Sequence, residues 1–158
     1  MPPYVAVIGP ADATGAEIAA AAEVGLLLGQ GGAVVLTGGL GGVMAAATDA
    51  AAAAGAVTVA LLPGRDRSDA PPSVSVAIPT GLGEMRNALL VRSADAVIAV
   101  GCSWGTLSEI ALARRTGVPL VCLGGWTISD AGGAPVDLVR AADPEQAVAA
   151  ALRAGRGR

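Results

Sequence analysis

Arg86 and Glu109 are the charged side chains best placed for chemistry in this chain. Each stands near the start of an expected helix, on either side of an apolar run, Ala94–Val100, that reads as a buried parallel strand. Arg86 belongs to Thr80-Gly-Leu-Gly-Glu-Met-Arg-Asn87, and Glu109 closes Gly101-Cys-Ser-Trp-Gly-Thr-Leu-Ser-Glu109. A glycine-rich turn that leaves a strand and opens a helix is where an α/β sheet holds a phosphate. Backbone N–H groups and the positive end of the helix dipole both point there. A carboxylate at such a place can act on a bound ligand or help hold it. An arginine can orient that carboxylate or hold the anion.

Each of these residues also has a plainer reading. Thr106-Leu-Ser-Glu109 has the form of a capping box, S/T-x-x-E, and so does Thr14-Gly-Ala-Glu17 after the first expected strand. Pattern alone does not separate Glu109 from Glu17. Arg86 in a helix's first turn is an exposed cation in an unfavourable place, unless an anion or a carboxylate such as Glu109 offsets the dipole. Asn87, the only asparagine, is a weaker hint. Cys102 and Cys122 follow no metal spacing and read as reduced interior thiols, with a nucleophilic thiolate at Cys102 as the alternative. Trp104 either stacks on a ring or packs under its loop.

Composition narrows the chemistry. The chain has 158 residues, enough for one domain, with 53% apolar and 15% charged residues and a net charge of −3. No basic footprint suggests nucleic acid as a partner. Histidine is absent and all ten basic residues are arginine, so a His-based triad, a His-ligated zinc, a Walker lysine and a Schiff-base lysine are excluded. No metal site is expected. No signal peptide opens the chain. The apolar run Val43–Leu62 is long enough to span a membrane, but Gly55 divides it into an Ala-rich helix and a β-branched strand. A cytoplasmic protein without a membrane partner is expected.

The positioning elements follow from alternating periodicity. Strands are expected at Tyr4–Gly9, Ala33–Thr37, Ala56–Leu62, Val74–Ile78, Ala96–Val100 and Leu120–Leu123. Helices are expected at Thr14–Gln30, Val43–Ala54, Met85–Ala94 and Thr106–Thr116, and a last one, capped by Asp143 before Pro144, ends near Ala154. This rhythm predicts a single α/β domain over residues 1–154, a doubly wound, mostly parallel Rossmann-like sheet with helices on both faces, followed by a tail at 155–158. Ligands in such sheets lie at the carboxyl ends of the strands. The glycine-bearing turns are therefore expected to cradle a phosphorylated small molecule: Gly9-Pro10-Ala-Asp12 after the first strand, Gly38, Gly39 and Gly42 with Met44, then Gly81 and Gly83 with Asn87, then Gly101, Ser103, Trp104, Gly105 and Thr106. Gly39–Met44 is not a dinucleotide fingerprint, because Met44 stands where its third glycine would be. The Val43–Ala54 helix has almost no polar face beyond Thr48 and Asp49, which predicts cover by a symmetry mate and hence a homodimer.

From about Tyr4 to Trp126, Gly38-Gly39-x-x-Gly42-x-Met44, Arg86 and Gly105-Thr106-x-x-Glu109 resemble the LOG ("Lonely guy") superfamily. That superfamily is known for cytokinin riboside 5′-monophosphate phosphoribohydrolases with the signature P-G-G-x-G-T-x-E-E. The match is closest to a bacterial branch that also includes molybdenum-cofactor carrier proteins. The resemblance implies Arg86 and Glu109 as catalytic residues, the glycine turns as the phosphate cradle, and a dimer or tetramer. Three departures stand out: Gly101 replaces the signature proline, Cys102 and Ser103 replace its glycines, and Ser108 replaces the first of the paired glutamates. The leading expectation is a nucleoside 5′-monophosphate phosphoribohydrolase that cleaves the N-glycosidic bond and requires no cofactor. The alternative is a non-catalytic carrier of molybdenum cofactor or a nucleotide-binding protein.

Overall fold

The computed structural model describes residues 1–156. Seven strands form one parallel sheet: β1 (Tyr4–Ile8), β2 (Val34–Thr37), β3 (Thr58–Leu62), β4 (Val76–Pro79), β5 (Ala96–Val100), β6 (Leu120–Leu123) and β7 (Arg140–Ala141). Five helices connect them: α1 (Gly15–Gln30), α2 (Val43–Ala53), α3 (Arg86–Arg92), α4 (Trp104–Thr116) and α5 (Pro144–Gly155). The strand order is β4-β3-β2-β1-β5-β6-β7, so the chain reverses direction across the sheet between β1 and β5. The expected single-domain, doubly wound, Rossmann-like fold is present.

The central strands read as unbroken apolar runs because both of their faces are covered. Val5 and Val7 of β1 join Ala21, Val24 and Leu28 of α1, Val43, Ala47 and Ala51 of α2, and Ala147, Val148 and Ala151 of α5 on one side. Ala6 and Ile8 face the other way, onto Leu90 and Val91 of α3 and Ile110 and Ala113 of α4. β1 pairs with β5 in the register Val5↔Ala96 to Ile8↔Ala99, which places the loops after both strands side by side.

Several boundaries differ from expectation for local reasons. β1 ends at Ile8, β2 begins at Val34 and β3 at Thr58, each one or two residues inside the apolar run. β4 is displaced to Val76–Pro79 because proline, lacking an N–H, is accommodated at its last position on the sheet edge. A 3-10 turn at Gly83–Met85 precedes α3, which starts at Arg86 and ends at Arg92. β7 has two residues and no periodicity that could announce it. Asp143 caps α5 as expected, accepting from Gln146 N at 2.8 Å. Gly155, expected in the tail, is the last residue of α5, and Arg156 is its cap. Residues 157 and 158 of that tail lie outside the described residues.

Part of the cover that the sequence assigns to a symmetry mate of α2 comes from within the chain. α1 lies so close to α2 that a Cβ at Gly25 would overlap the carbonyl of Ala47. Thr48 turns inward, donating to Met44 O at 2.7 Å and meeting Thr37 Oγ1 at 3.3 Å. α2 still leaves Ala45, Asp49, Ala52 and Ala53 partly or fully exposed on its other side. Among the described residues, no helix is long and apolar enough to cross a membrane.

Candidate functional site

A cavity of about 380 Å³ opens at the carboxyl edge of the sheet, where β1 and β5 diverge. Its wall draws on every neighbouring turn: Gly9 and Ala11 after β1, Leu40 and Met44 after β2, Pro63 after β3, Gly83, Glu84, Arg86 and Asn87 before and within α3, and Ser103, Gly105, Thr106 and Glu109 of α4 and its cap. This is the crevice expected at a topological switch point.

α4 begins earlier than the sequence suggests, and that changes the status of Glu109. Ser103 is the N-cap, accepting from Thr106 N at 3.3 Å with its hydroxyl 3.0 Å from Thr106 Oγ1. Thr106 is thus the third helical residue and Glu109 lies in the second turn, too far along to cap anything. The capping-box reading of Thr106–Glu109 is overturned. Thr14–Glu17 does form one: Thr14 N donates to Glu17 Oε2 at 2.8 Å and Glu17 N to Thr14 Oγ1 at 3.2 Å.

Arg86 and Glu109 are buried, with 5% and 7% of their surface exposed. Among the described residues, Arg86 Nε and Nη1 have no hydrogen-bond partner, and no ion pair within 4.0 Å joins the guanidinium to the Glu109 carboxylate. The two groups feel one another across the cavity wall without closing on each other. Burial pushes the Glu109 carboxyl up to about 7, although the Arg86 charge opposes the shift. Burial likewise holds Arg86 below the ordinary arginine range, with Glu109 opposing. In both residues desolvation outweighs mutual attraction, as expected for an open buried pair. The surface-cation reading of Arg86 is therefore wrong.

Gly38 explains how Arg86 is seated. A Cβ at this position would overlap Arg86 Nη1, so only glycine leaves room for the guanidinium against the end of β2. Gly38 is thus behind the arginine, not in the cavity wall. Gly39 and Gly42 hold φ of 71° and 59° and back onto Leu62 and the Pro10 carbonyl, shaping the turn into α2. Gly81 packs against Arg65, and Gly101 is so close to Glu17 that a Cβ would overlap its carboxylate. Met44, Gly83, Asn87, Ser103, Gly105 and Thr106 do line the cavity. Asn87 Nδ2 donates to Ser108 Oγ at 3.0 Å, and Ser108 Oγ donates to Gly105 O at 2.6 Å, tying α3 to α4. Ser108, where the LOG signature has a glutamate, is thus a brace.

Trp104 is exposed and lies outside the cavity wall. Cys102 and Cys122 are free thiols; burial pushes both up, and Cys102 Sγ donates to Ser103 O at 3.5 Å. This desolvation disfavours the thiolate that a nucleophilic Cys102 would need. Gly9, Ala11 and Leu40 lie in the glycine turns expected to form the cradle, whereas Pro63 and Glu84 are lining residues that sequence reasoning did not assign. Their signal was positional only, since each lies in a turn after a strand or before α3.

A molybdenum cofactor carrier protein from Chlamydomonas reinhardtii is 34% identical over 100% of both chains, with a TM-score of 0.86. The molybdenum cofactor binding protein of the phototrophic bacterium Rippkaea orientalis is 34% identical over 94% of each chain, with a TM-score of 0.85. An uncharacterized protein of Archaeoglobus fulgidus is 39% identical over 113 residues, which is 72% of this chain and 74% of that one. The model of the SLOG cluster4 family matches residues 2–148. The chain belongs to the SLOG cluster4 family, within the LOG-like Rossmann group that its motifs resemble.

Proposed function

We propose that the protein binds and carries molybdenum cofactor, a phosphorylated pterin, at the carboxyl edge of its sheet. The observation that carries this reading is the buried Arg86 guanidinium, uncompensated by Glu109, beside the N-terminus of α4. A buried cation without an ion pair, next to helix N–H groups, is stabilised by an incoming anion. Similarity along the whole chain to proteins described as molybdenum cofactor carriers, and to one described as a molybdenum cofactor binding protein, supports a carrier over a hydrolase. So does Ser108, which leaves one carboxylate where the LOG signature has two. Isothermal titration with molybdenum cofactor under anaerobic conditions tests this. Saturable one-to-one binding is expected, and absence of binding removes the proposal.

One observation favours the hydrolase reading. A carboxyl held at about 7 inside the cavity suits a general base. Incubation with AMP and GMP decides it: release of free base that disappears in Glu109→Gln would replace the carrier by a phosphoribohydrolase acting through Arg86 and Glu109. The assembly we propose is a homodimer, with a tetramer as the alternative, closed over the exposed apolar side chains Leu82, Met85 and Leu89. A monomeric mass by light scattering at micromolar concentration removes that part alone.

A further inference from the structure

The chain has three aromatic side chains, and two of them meet beside the mouth of the Arg86–Glu109 cavity. Trp104 is the first residue of α4, and its neighbours Ser103 and Gly105 line that cavity. It is 79% exposed, so a broad indole face is open. Trp126, in the loop after β6, meets it edge-to-face, with ring centroids 5.0 Å apart and planes at 78°. That loop is anchored. Arg140 donates from Nη1 to Gly124 O at 3.2 Å and from Nη2 to Trp126 O at 2.7 Å. Gly125 approaches the Gly101 carbonyl so closely that a Cβ would stand 2.9 Å from it.

We propose that Trp104, braced by Trp126, is a stacking platform for the fused-ring end of the ligand whose anionic end lies at Arg86 and the α4 N-terminus. The inference rests on the function proposed above and deepens it, by naming a flat bicyclic heteroaromatic such as a pterin as the group recognised. An indole at the first position of α4 lies within one or two residues of the free helix N–H groups, so one small molecule spans both. The surroundings favour a ring over a protein surface. Along the chain, the exposed residues flanking the two indoles are Gly105, Gly124, Gly125 and Thr127, whose small side chains add little apolar area for a docked protein to bury. Aromatic stacking is sequence-tolerant and needs only an open π face held still.

The test uses two probes, pterin-6-carboxylate and inorganic phosphate, titrated calorimetrically and by indole emission, which only Trp104 and Trp126 supply. Wild type is expected to bind pterin-6-carboxylate with quenching of that emission. Trp104→Ala should weaken this binding by roughly 5- to 100-fold, Trp104→Phe should restore most of it, and phosphate affinity should stay unchanged in both. Because Trp104 is exposed, the thermal melt should not move. Pterin binding equal to wild type in Trp104→Ala would discard the platform and leave the anion-carrier reading standing. Loss of phosphate binding together with pterin binding would also discard it, making Trp104 a support of the cavity loop. A fall in molecular mass in Trp104→Ala would mean that the indole covers a second copy, again overturning the inference. Wild type binding neither probe would overturn both this inference and the carrier.

Discussion

Thr14–Glu17 and Thr106–Glu109 carry the same four-residue pattern at the start of a helix after a central strand, yet they do opposite things. The first spends both of its side chains on the helix end: Thr14 and Glu17 satisfy each other's backbone N–H groups at a largely exposed cap. The second is displaced by one turn because Ser103 takes the cap. Glu109 is left in the second turn, buried and facing Arg86 across a cavity wall. A cap motif is satisfied locally, whereas the buried pair depends on α3, β2 and α4 meeting. What distinguishes the buried carboxylate from the capping one here is which residue claims the helix end.

The largest expected effect sharpens this contrast through pH. The Glu109 carboxyl stands at about 7 in the fold against an ordinary 4.5, so the folded chain holds its proton longer than the unfolded chain. Stability contributed by this group therefore falls as pH rises from about 4.5 to about 7, by roughly 3 kcal/mol at about 1.4 kcal/mol per pKa unit. Glu109→Gln stays neutral and should escape that loss. Urea midpoints of the two proteins should coincide near the low end of the window and diverge above neutrality, with the variant more stable. Parallel profiles would show that Glu109 is solvated like a cap residue.

Next in size, one substitution should have opposite signs in the two regions. Gly38→Ala pushes a methyl group into the Arg86 guanidinium and should destabilise by about 1–3 kcal/mol, as overpacking does, while weakening anion binding. Gly15→Ala, in the first turn of α1, meets nothing within 4 Å and should stabilise by about 0.4–1 kcal/mol. Thermal melts of both variants check the signs, and a destabilising Gly15→Ala would break the comparison.

Smaller still are the caps themselves. Thr14→Ala and Ser103→Ala should each cost about 1 kcal/mol, since each removes the acceptor for a helix N–H group. Glu17→Gln should be close to silent, because glutamine serves equally in a capping box. Denaturation by urea resolves these differences, and a silent Ser103→Ala would return the cap of α4 to Thr106.

The fold was legible because its central strands are buried on both faces and their apolar runs are separated by glycine turns. The site was legible as a set of turns at one sheet edge, and Arg86, Glu109, Ser103 and Thr106 were named from type and spacing. Three things lay beyond the sequence. The register of α4 hinges on one serine hydroxyl, and Ser103 and Thr106 are both acceptable caps by composition. The role of Gly38 is visible only when the guanidinium from α3, distant along the chain, is seen against it. The cover of α2 by α1 arises from close approach at Gly25, which looks like any other helix glycine in sequence. Local patterns specify local bonds; the last two are set by tertiary contact, and the first by a choice between two equivalent local caps.

The central claim is that Arg86, without an ion pair, holds the anion of a carried pterin. The direct measurement is the anaerobic affinity of wild type and Arg86→Ala for molybdenum cofactor. Removing a buried cation that meets the ligand anion should weaken binding by at least about 30-fold, corresponding to 2 kcal/mol or more. Affinities that agree within twofold would contradict the account.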